Sequence, residues 1–394
     1  MSPPTRPDDE ASPDRLTVAQ LTRYFLQLGA TGFGGPIALV GDMDRTLVQE
    51  RGWVTRQEFA DGLAFCQLAP GPLAAQLAIY LGWLRAGVRG ATAAGIAFIA
   101  PSFAMVVVLA VAYRRLGGMP WLQGAFYGVG AAVIAVIARS AYKLAKSTLR
   151  GDGLLWTIFG ASALVTAWTE SEIVWVFLIS GVVVVAARAR STWSGSAGAQ
   201  LALATPGSVM LTLRVPVKLA TAWTMLAYFA AAGLFVFGSG LAIVPFLHAG
   251  VVVQHGWLTE REFLDAVAVA LVTPGPVVIT VAFIGFLVAG MTGAVAAAAG
   301  VFAPVYVITV LLAPRYQRLK EDARIRAFVA GVTAAATGAI AGAVIVLGRR
   351  AIVDVTTAVI AGVALVVLLG TRRIPEPILI VAAGVVGIAV TGFR

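Results

Sequence analysis

Charged residues are scarce in this chain, and their scarcity is the first feature that limits its interpretation. Only 12% of the 394 residues are charged, while 59% are hydrophobic. An ordinary soluble domain has about 25% charged residues. No soluble fold of this size hides so much apolar surface, so the composition excludes a soluble globular protein and indicates a membrane protein.

Cysteine and histidine are nearly absent as well. Cys66 is the single cysteine, so no disulfide can form within the chain. His248 and His255 are too few for an imidazole cluster, and we therefore expect neither a metal site nor a cofactor. The net charge of +10 lies in short basic segments between apolar runs, which favours membrane anchoring over nucleic-acid binding.

Long apolar runs, by contrast, recur along the whole sequence. Most approach the roughly 20 residues that cross a bilayer, and the 43 glycines of the chain suit close helix packing in lipid. The runs cover residues 91–112, 124–138, 171–187, 292–313, 327–347, 352–370 and 374–392. We therefore predict an all-α polytopic protein of the inner membrane, with about 10–12 transmembrane or re-entrant helices.

An internal repeat divides the chain into two halves. Trp53 and Trp257 lie 204 positions apart, and the same shift superposes residues on both sides of them. Among the matching pairs are Tyr24/Tyr228, Phe25/Phe229, Gly29/Gly233, Phe33/Phe237, Gly34/Gly238, Gly52/Gly256, Thr55/Thr259, Glu58/Glu262, Phe59/Phe263, Asp61/Asp265, Pro70/Pro274, Gly71/Gly275 and Pro72/Pro276. Tandem halves of this kind are typical of secondary transporters.

The repeat gives the chain four predicted segments. They are a Pro- and Asp-rich disordered tail (1–14), the first half (15–187), a Ser- and Gly-rich linker (188–216) and the second half (217–394). If the chain only dips into the membrane around a Pro-Gly-Pro motif, the halves are inverted relative to one another, which is the arrangement we expect.

The basic segments do not settle which end of the molecule is cytoplasmic. The densest, residues 315–326, favours a cytoplasmic position by the positive-inside rule. A second basic segment, residues 139–150, is interpreted as its equivalent in the first half. Inverted halves would place two equivalent segments on opposite sides, so the orientation stays open.

A glycine-rich break interrupts the first helix of each half, at residues 33–36 and 237–240. Glycines in series free backbone N–H and C=O groups, which are tolerated inside a membrane only where protein or a watery cavity satisfies them. The alternative is close helix packing at glycine. The residues that we predict to bind substrate here are Gly34, Gly35, Gly238 and Ser239.

A Pro-Gly-Pro motif follows in each half, at residues 70–72 and 274–276. Proline suits a first helical turn, so each motif is expected to start a helix at mid-membrane depth, where free N–H donors and the helix dipole favour an anion. A proline kink without a ligand is the alternative. The residues predicted to bind substrate are Gln67, Pro70, Gly71, Pro72, Gln76, Thr273, Pro274, Gly275, Pro276 and Thr280.

A capping box precedes each of these motifs. Thr55 with Glu58, and Thr259 with Glu262, have the Thr-x-x-Glu spacing in which the two side chains cap one helix start. A role of the two glutamates in proton relay or gating is the alternative. The arginines that we predict to attract or gate an anion are Arg51 and Arg85.

Taken together, these motifs resemble the chromate ion transporter family in its long form with two fused domains. The resemblance rests on residues 33–36, 50–53, 66–72 and 76–82 in the first half and 237–240, 256–259, 272–276 and 283–285 in the second. It extends over about residues 16–394.

The resemblance implies a transporter, not an enzyme, that exports chromate from the cytoplasm with the proton-motive force. It also implies inverted halves and sulfate as a competing ligand. The expected partners are an oxyanion of the chromate or sulfate type and the lipid bilayer; a homodimer is left open. Two alternatives stand beside it: a carrier for sulfate or another small anion, and a membrane-embedded enzyme on a lipid-linked substrate, which would need a catalytic cluster at membrane depth.

Overall fold

The structure, a computed structural model, consists of helices joined by turns and short connections, and the residues that it describes contain no strand. Those residues are 17–33, 35–116, 119–149, 151–169, 174–192, 217–234, 236, 240, 243–316, 322–370 and 374–392. The predicted tail and most of the predicted linker lie outside them, as do Gly34, Gly238 and Ser239. The all-α fold class is confirmed.

The first half contains seven described helices: α1 (Val18–Thr31), α2 (Gly35–Met43), α3 (Arg56–Leu68), α4 (Leu73–Leu116), α5 (Pro120–Leu149), α6 (Gly153–Thr169) and α7 (Val174–Thr192). A π-helical turn, Asp44–Glu50, extends α2. α4 is bent sharply at Ala86 and Gly87, so it has two arms, residues 73–85 and 88–116. Because α7 continues to Thr192, the linker boundary predicted at residue 188 falls inside a helix.

The second half repeats this order with α8 (Val217–Leu234), α9 (Ile243–His248), α10 (Glu260–Val272), α11 (Thr280–Leu312), α12 (Ala323–Ala351), α13 (Val355–Gly370) and α14 (Glu376–Gly392). A π-helical turn again extends the second helix, and α11 is bent at Ala289 and Gly290. By length and apolar composition, four helices among the described residues can cross a membrane: α4, α5, α11 with its flanking turns, and α12.

Each Pro-Gly-Pro turn forms the tip of a helical hairpin. In the first half α3 packs against the arm 73–85, and a Cβ atom added at Gly62 would lie 2.7 Å from the Tyr80 ring. Both α3 and the arm 73–85 have 13 residues. Each is therefore about 20 Å long, shorter than the roughly 30 Å hydrocarbon core of a bilayer. The chain thus dips in and returns on the same side.

The shift between the halves changes by one residue at this point. The bends at Gly87 and Gly290 lie 203 positions apart instead of 204, so Gln76 matches Ile279 and not Thr280, to which a constant shift of 204 would bring it. A 3₁₀ turn, Val277–Ile279, opens the second-half arm where the first half begins an α-helix at once. Three 3₁₀ residues rise about 6 Å, the same as four α-helical residues, which compensates for the missing residue.

The two halves are inverted. Beside the bend that starts the arm 88–116, Arg85 donates to the Trp53 carbonyl oxygen, at the open end of the first-half hairpin. Near the far end of the same arm, the Tyr113 hydroxyl donates to Asp265 (2.7 Å), midway between the tip and the open end of the second-half hairpin, whose tip packs at Ser102 in the middle of the arm. The hairpins therefore enter from opposite ends of a long helix, as expected. The route of the chain between α7 and α8 lies outside the described residues.

The remaining helices exchange packing partners between the halves. A Cβ atom at Gly128 of α5 would overlap the Ala383 carbonyl oxygen of α14, and one at Gly331 of α12 would overlap the Ser180 carbonyl oxygen of α7. The two contacts are equivalent, because Gly128 and Gly331 lie 203 positions apart, as do Ser180 and Ala383. The last helices of each half thus pack on the central helix of the other half, so that the halves are interlocked.

This arrangement corrects the interpretation of the basic segments. Lys143 near the end of α5 and Arg326 near the start of α12 line one cavity, so the described residues of segments 139–150 and 315–326 lie at the same end of the molecule. The first-half equivalent of the segment 315–326 is the connection between α4 and α5, at the opposite end. We call the end with both basic segments the basic face.

Candidate functional site

The two glycine-rich breaks and the two Pro-Gly-Pro tips meet in the centre of the protein. The Gly71 N–H donates to the Val236 carbonyl oxygen (2.6 Å), and the Gly275 N–H donates to the Gly32 carbonyl oxygen (2.8 Å). Donors and acceptors are each 204 positions apart. Each tip is therefore held by the residue just before the break of the opposite half, in a reciprocal pair of hydrogen bonds.

These bonds correct one predicted role. We expected the amides of Gly71 and Gly275 to be free to bind an anion, but in this conformation both are occupied by carbonyl oxygens. Their positive φ angles, 137° and 96°, still require glycine. The tips therefore serve first to join the halves.

The depth of the tips follows from their neighbours. A Cβ atom at Gly275 would overlap the Ser102 hydroxyl, and one at Gly71 would lie 2.7 Å from Val305. Ser102 lies at the middle of the arm 88–116 and donates to the Gly29 carbonyl oxygen (3.0 Å). Both breaks are thus at mid-height of the long helices, which is the position that the sequence predicts.

A cavity of about 770 Å³ begins at these breaks and has the size of a typical small-molecule site, about 300–1,000 Å³. Four predicted site residues line it, namely Gly35, Gln67, Thr273 and Gly275. It extends to polar and charged side chains at the basic face, which are Ser140, Lys143, Ser147, Thr148, Asp152, Arg188, Arg326, Thr333 and Glu376. The cavity therefore connects the middle of the protein with one face.

Two helix starts border the inner end of this cavity. Leu73 and Val277, the first residues after the two Pro-Gly-Pro motifs, both line it. The first amides of a helix have no partner within the helix and carry the positive end of its dipole. The donors that favour an anion are therefore those of the turns beginning at Leu73 and Val277.

The four predicted polar side chains at the breaks divide into two pairs. Gln67 is exposed and faces the cavity, as does Thr273, whose hydroxyl donates to the Ala270 carbonyl oxygen (3.2 Å). Gln76 is fully buried and donates through Nε2 to the Pro70 carbonyl oxygen (2.7 Å), while the Thr280 hydroxyl donates to the Val277 carbonyl oxygen (2.7 Å). Gln76 and Thr280 thus stabilise the turns, and neither lines the cavity. The four prolines of the tips do not line the cavity either; they are Pro70, Pro72, Pro274 and Pro276.

The charged residues of the cavity mouth were not predicted as site residues. Lys143 and Arg326 line the cavity, Arg188 pairs with Asp152 (3.0 Å), and Glu376 pairs with Arg139 (3.1 Å). The hydrogen bond from Arg188 holds the pKa of the Asp152 carboxyl below its usual range. The clustering of Lys and Arg in the basic segments could have indicated these residues, but we used the segments only to judge the topology.

The predicted gating residues lie elsewhere. Glu58 completes a capping box with Thr55 and pairs with Arg85 (3.3 Å); Glu262 completes the equivalent box with Thr259. The Arg51 guanidinium stacks over the Trp53 ring, 4.4 Å from its centroid. The capping boxes are confirmed. Arg51, Arg85, Glu58 and Glu262 do not border the central cavity, and a gating role for them stays a prediction.

Two inverted, interlocked halves around a cavity at their broken helices define a multi-pass membrane transporter. The family of chromate transporters matches residues 19–186 and 223–388, once in each half. The chain belongs to this family.

Curated relatives agree over nearly the whole length. The chain is 52% identical to a chromate transport protein of Cupriavidus metallidurans over 92% of this chain and 91% of that protein. It is 51% identical to a probable chromate transport protein of Synechococcus elongatus, over 89% of both chains. A chromate transport protein of Pseudomonas aeruginosa is 32% identical over 86% of this chain and 83% of its own. These relatives are named as transport proteins and not as enzymes. No solved structure matches the chain.

Proposed function

We propose that this protein exports chromate from the cytoplasm across the inner membrane, by alternating access driven by the proton-motive force. Family membership and the names of the curated relatives support chromate as the substrate. The observation that carries the direction is the cavity, which opens at the basic face and ends at the paired helix starts. By the positive-inside rule the basic face is cytoplasmic, so the site is loaded from within.

The cavity has positive charges and hydrogen-bond donors that can replace the hydration shell of a divalent oxyanion. Moving a bare ion into a low-dielectric interior costs tens of kcal/mol by idealised estimates, so several donors must act at once. Lys143 and Arg326 attract the anion at the mouth. Gln67, Thr273 and the first amides after each Pro-Gly-Pro motif then replace its water at the inner end.

The face opposite the basic one is closed by polar contacts of the second-half hairpin. Arg350 forms an ion pair with Glu260, which also contacts the His248 ring (2.9 Å), and Arg261 donates to the Gln123 carbonyl oxygen (3.2 Å). We propose that these contacts form the outer gate and break when the site opens outward.

Asp265 is the carboxylate that we propose to carry the coupled proton. It is only 3% exposed, lies near the outer gate and accepts a hydrogen bond from Tyr113 (2.7 Å). Ionisable groups at such depth in a membrane protein are costly and are functional by default. Protonation from outside would weaken the outer gate and link the proton gradient to opening.

The test is uptake of radiolabelled chromate and sulfate into everted vesicles, with and without a proton gradient. We expect gradient-dependent chromate accumulation, and for Lys143→Gln/Arg326→Gln a KM raised at least about fivefold with kcat nearly unchanged, because two attracting charges are lost. The matched control is Arg114→Gln/Arg115→Gln, which removes two exposed arginines of the opposite face.

Two results would contradict the proposal. Folded protein that moves no chromate would remove the substrate assignment, and sulfate accumulation with chromate only as a competitor would favour a sulfate carrier. Equal KM values for both double variants would show that the cavity mouth is not the entrance.

A further inference from the structure

A second cavity lies beside the first hairpin, apart from the central one. Its volume is about 260 Å³, and its lining consists of Gln20, Arg23, Tyr24, Gln27, Arg51 and Trp53. None of these residues borders the central cavity. Arg23, Gln27 and Arg51 are exposed, so the cavity opens on the outside of the protein at the open end of the first-half hairpin.

Tyr24, which lines this cavity, has an unsatisfied hydroxyl. The residue is only 7% exposed, and among the described residues its buried hydroxyl has no hydrogen-bond partner of ordinary geometry, although Thr46 lies near it. Its counterpart in the second half, Tyr228, donates to the Phe246 carbonyl oxygen (2.6 Å). In the second half the tyrosine hydroxyl thus has a backbone acceptor within the protein. In the first half the Tyr24 hydroxyl lacks the equivalent hydrogen bond.

Other residues that line the cavity in the first half are also replaced at the matching positions of the second half. The second-half counterparts of Gln20, Arg23, Gln27 and Arg51 are Thr224, Ala227, Ala231 and His255. His255 stacks on Trp257, with ring centroids 4.3 Å apart. The second copy therefore lacks guanidinium groups at these positions and is filled by an aromatic stack, so the basic cavity is not a requirement of the fold.

The donors of the cavity suit a phosphate group. The Arg51 guanidinium is held over the Trp53 ring, which fixes its direction, and Arg23 lies on the facing helix. Guanidinium groups bind phosphate oxygens with charge-assisted hydrogen bonds, and the Tyr24 hydroxyl adds a neutral donor. The nearby carboxylate of Asp42 pairs with Arg45 (3.2 Å).

We propose that this cavity binds the phosphate headgroup of an acidic phospholipid in the leaflet at the basic face. Leu26 on α1 and Phe33 just beyond its end are 49% and 44% exposed and would contact the acyl chains. Basic pockets between membrane helices are typical lipid headgroup sites. A lipid bound here would brace the first hairpin against the membrane.

The experiment measures lipid binding to the purified full-length chain, by native mass spectrometry and by the shift of Tm on adding lipid. The probes are phosphatidylglycerol, phosphatidylcholine and inorganic phosphate. We expect phosphatidylglycerol alone to be retained and to raise Tm, and its affinity to fall about tenfold or more in Arg23→Gln/Arg51→Gln. Tyr24→Phe is expected to weaken binding about fivefold without lowering the Tm of the lipid-free protein.

Two matched variants serve as controls. Arg114→Gln/Arg115→Gln removes two exposed arginines elsewhere, and Tyr228→Phe removes the counterpart hydroxyl, which is used internally. Both should bind lipid like the unchanged protein, and Tyr228→Phe should lower Tm. Equal lipid affinity in all variants would overturn the proposal, as would stabilisation by inorganic phosphate equal to that by phosphatidylglycerol, which would assign the cavity to a soluble anion.

Discussion

The first and second hairpins share one backbone but carry different chemistry. The first presents Gln67 to the cavity and buries Gln76 behind its tip, where the second has Leu271 and Ile279. The second buries Asp265 under Tyr113, whereas the matching Asp61 is partly exposed. The difference teaches that the repeat supplies the framework of two interlocked breaks. The proposed anion site and the proposed outer gate then depend on side chains that differ between the halves.

The largest expected effect tests the framework at the two tips. Gly275→Ala and Gly71→Ala should each destabilise the protein by about 3 kcal/mol or more, because each forces a positive φ on alanine and overlaps a neighbour. Unfolding in detergent measures this.

The rescue of these variants should be specific to each tip. Ser102→Gly should recover part of the loss in Gly275→Ala and nothing in Gly71→Ala, whereas Val305→Ala should do the reverse. Rescue without this specificity would mean that the tips do not pack as described.

The second effect separates the two aspartates. Asp265→Asn keeps an acceptor for Tyr113 but cannot carry a proton, so we expect gradient-driven chromate accumulation to fall about tenfold or more while chromate exchange without a gradient persists. Asp61→Asn should lower accumulation by less than about threefold. Full gradient-driven accumulation in Asp265→Asn would refute its proposed role.

The third effect compares the capping boxes by stability. Glu58→Ala should cost about 1–2 kcal/mol and Glu262→Ala about 1 kcal/mol, because only Glu58 also pairs with an arginine, Arg85. The Gln variants keep the cap and should cost less in both cases. If either Gln variant abolished transport in a stable protein, the glutamate would have a direct part in coupling.

The smallest effect concerns Asp152 at the cavity mouth. Its pKa is lowered in the folded protein, so the pair with Arg188 contributes stability above the ordinary aspartate pKa of 3.8 and loses it as pH falls through the folded value. Because both side chains are partly exposed, Asp152→Asn should lower stability by no more than about 0.5 kcal/mol, and by the same amount at every pH between 5 and 8. Losing a negative charge should lower the KM for chromate about twofold, which initial transport rates measure.

Much of this architecture could be predicted from the repeat. The matching motifs located both breaks, and the Thr-x-x-Glu pattern gave both caps, because each depends on local sequence. The occupation of the Gly71 and Gly275 amides could not be predicted, since their acceptors lie about 165 and 243 residues away in sequence. Lys143 and Arg326 were missed as site residues for the same reason: only the packing of α5 beside α12 brings them together.

The central claim is that the halves are inverted and that the cavity opens to the cytoplasm. Lys146 and Arg349 lie 203 positions apart near the ends of α5 and α12, and both are exposed. In a Cys66→Ala background, Lys146→Cys and Arg349→Cys would be labelled with a membrane-impermeant maleimide, in intact cells and in everted vesicles. The account predicts labelling of Lys146→Cys only in everted vesicles and of Arg349→Cys only in intact cells; labelling of both from one side would contradict it.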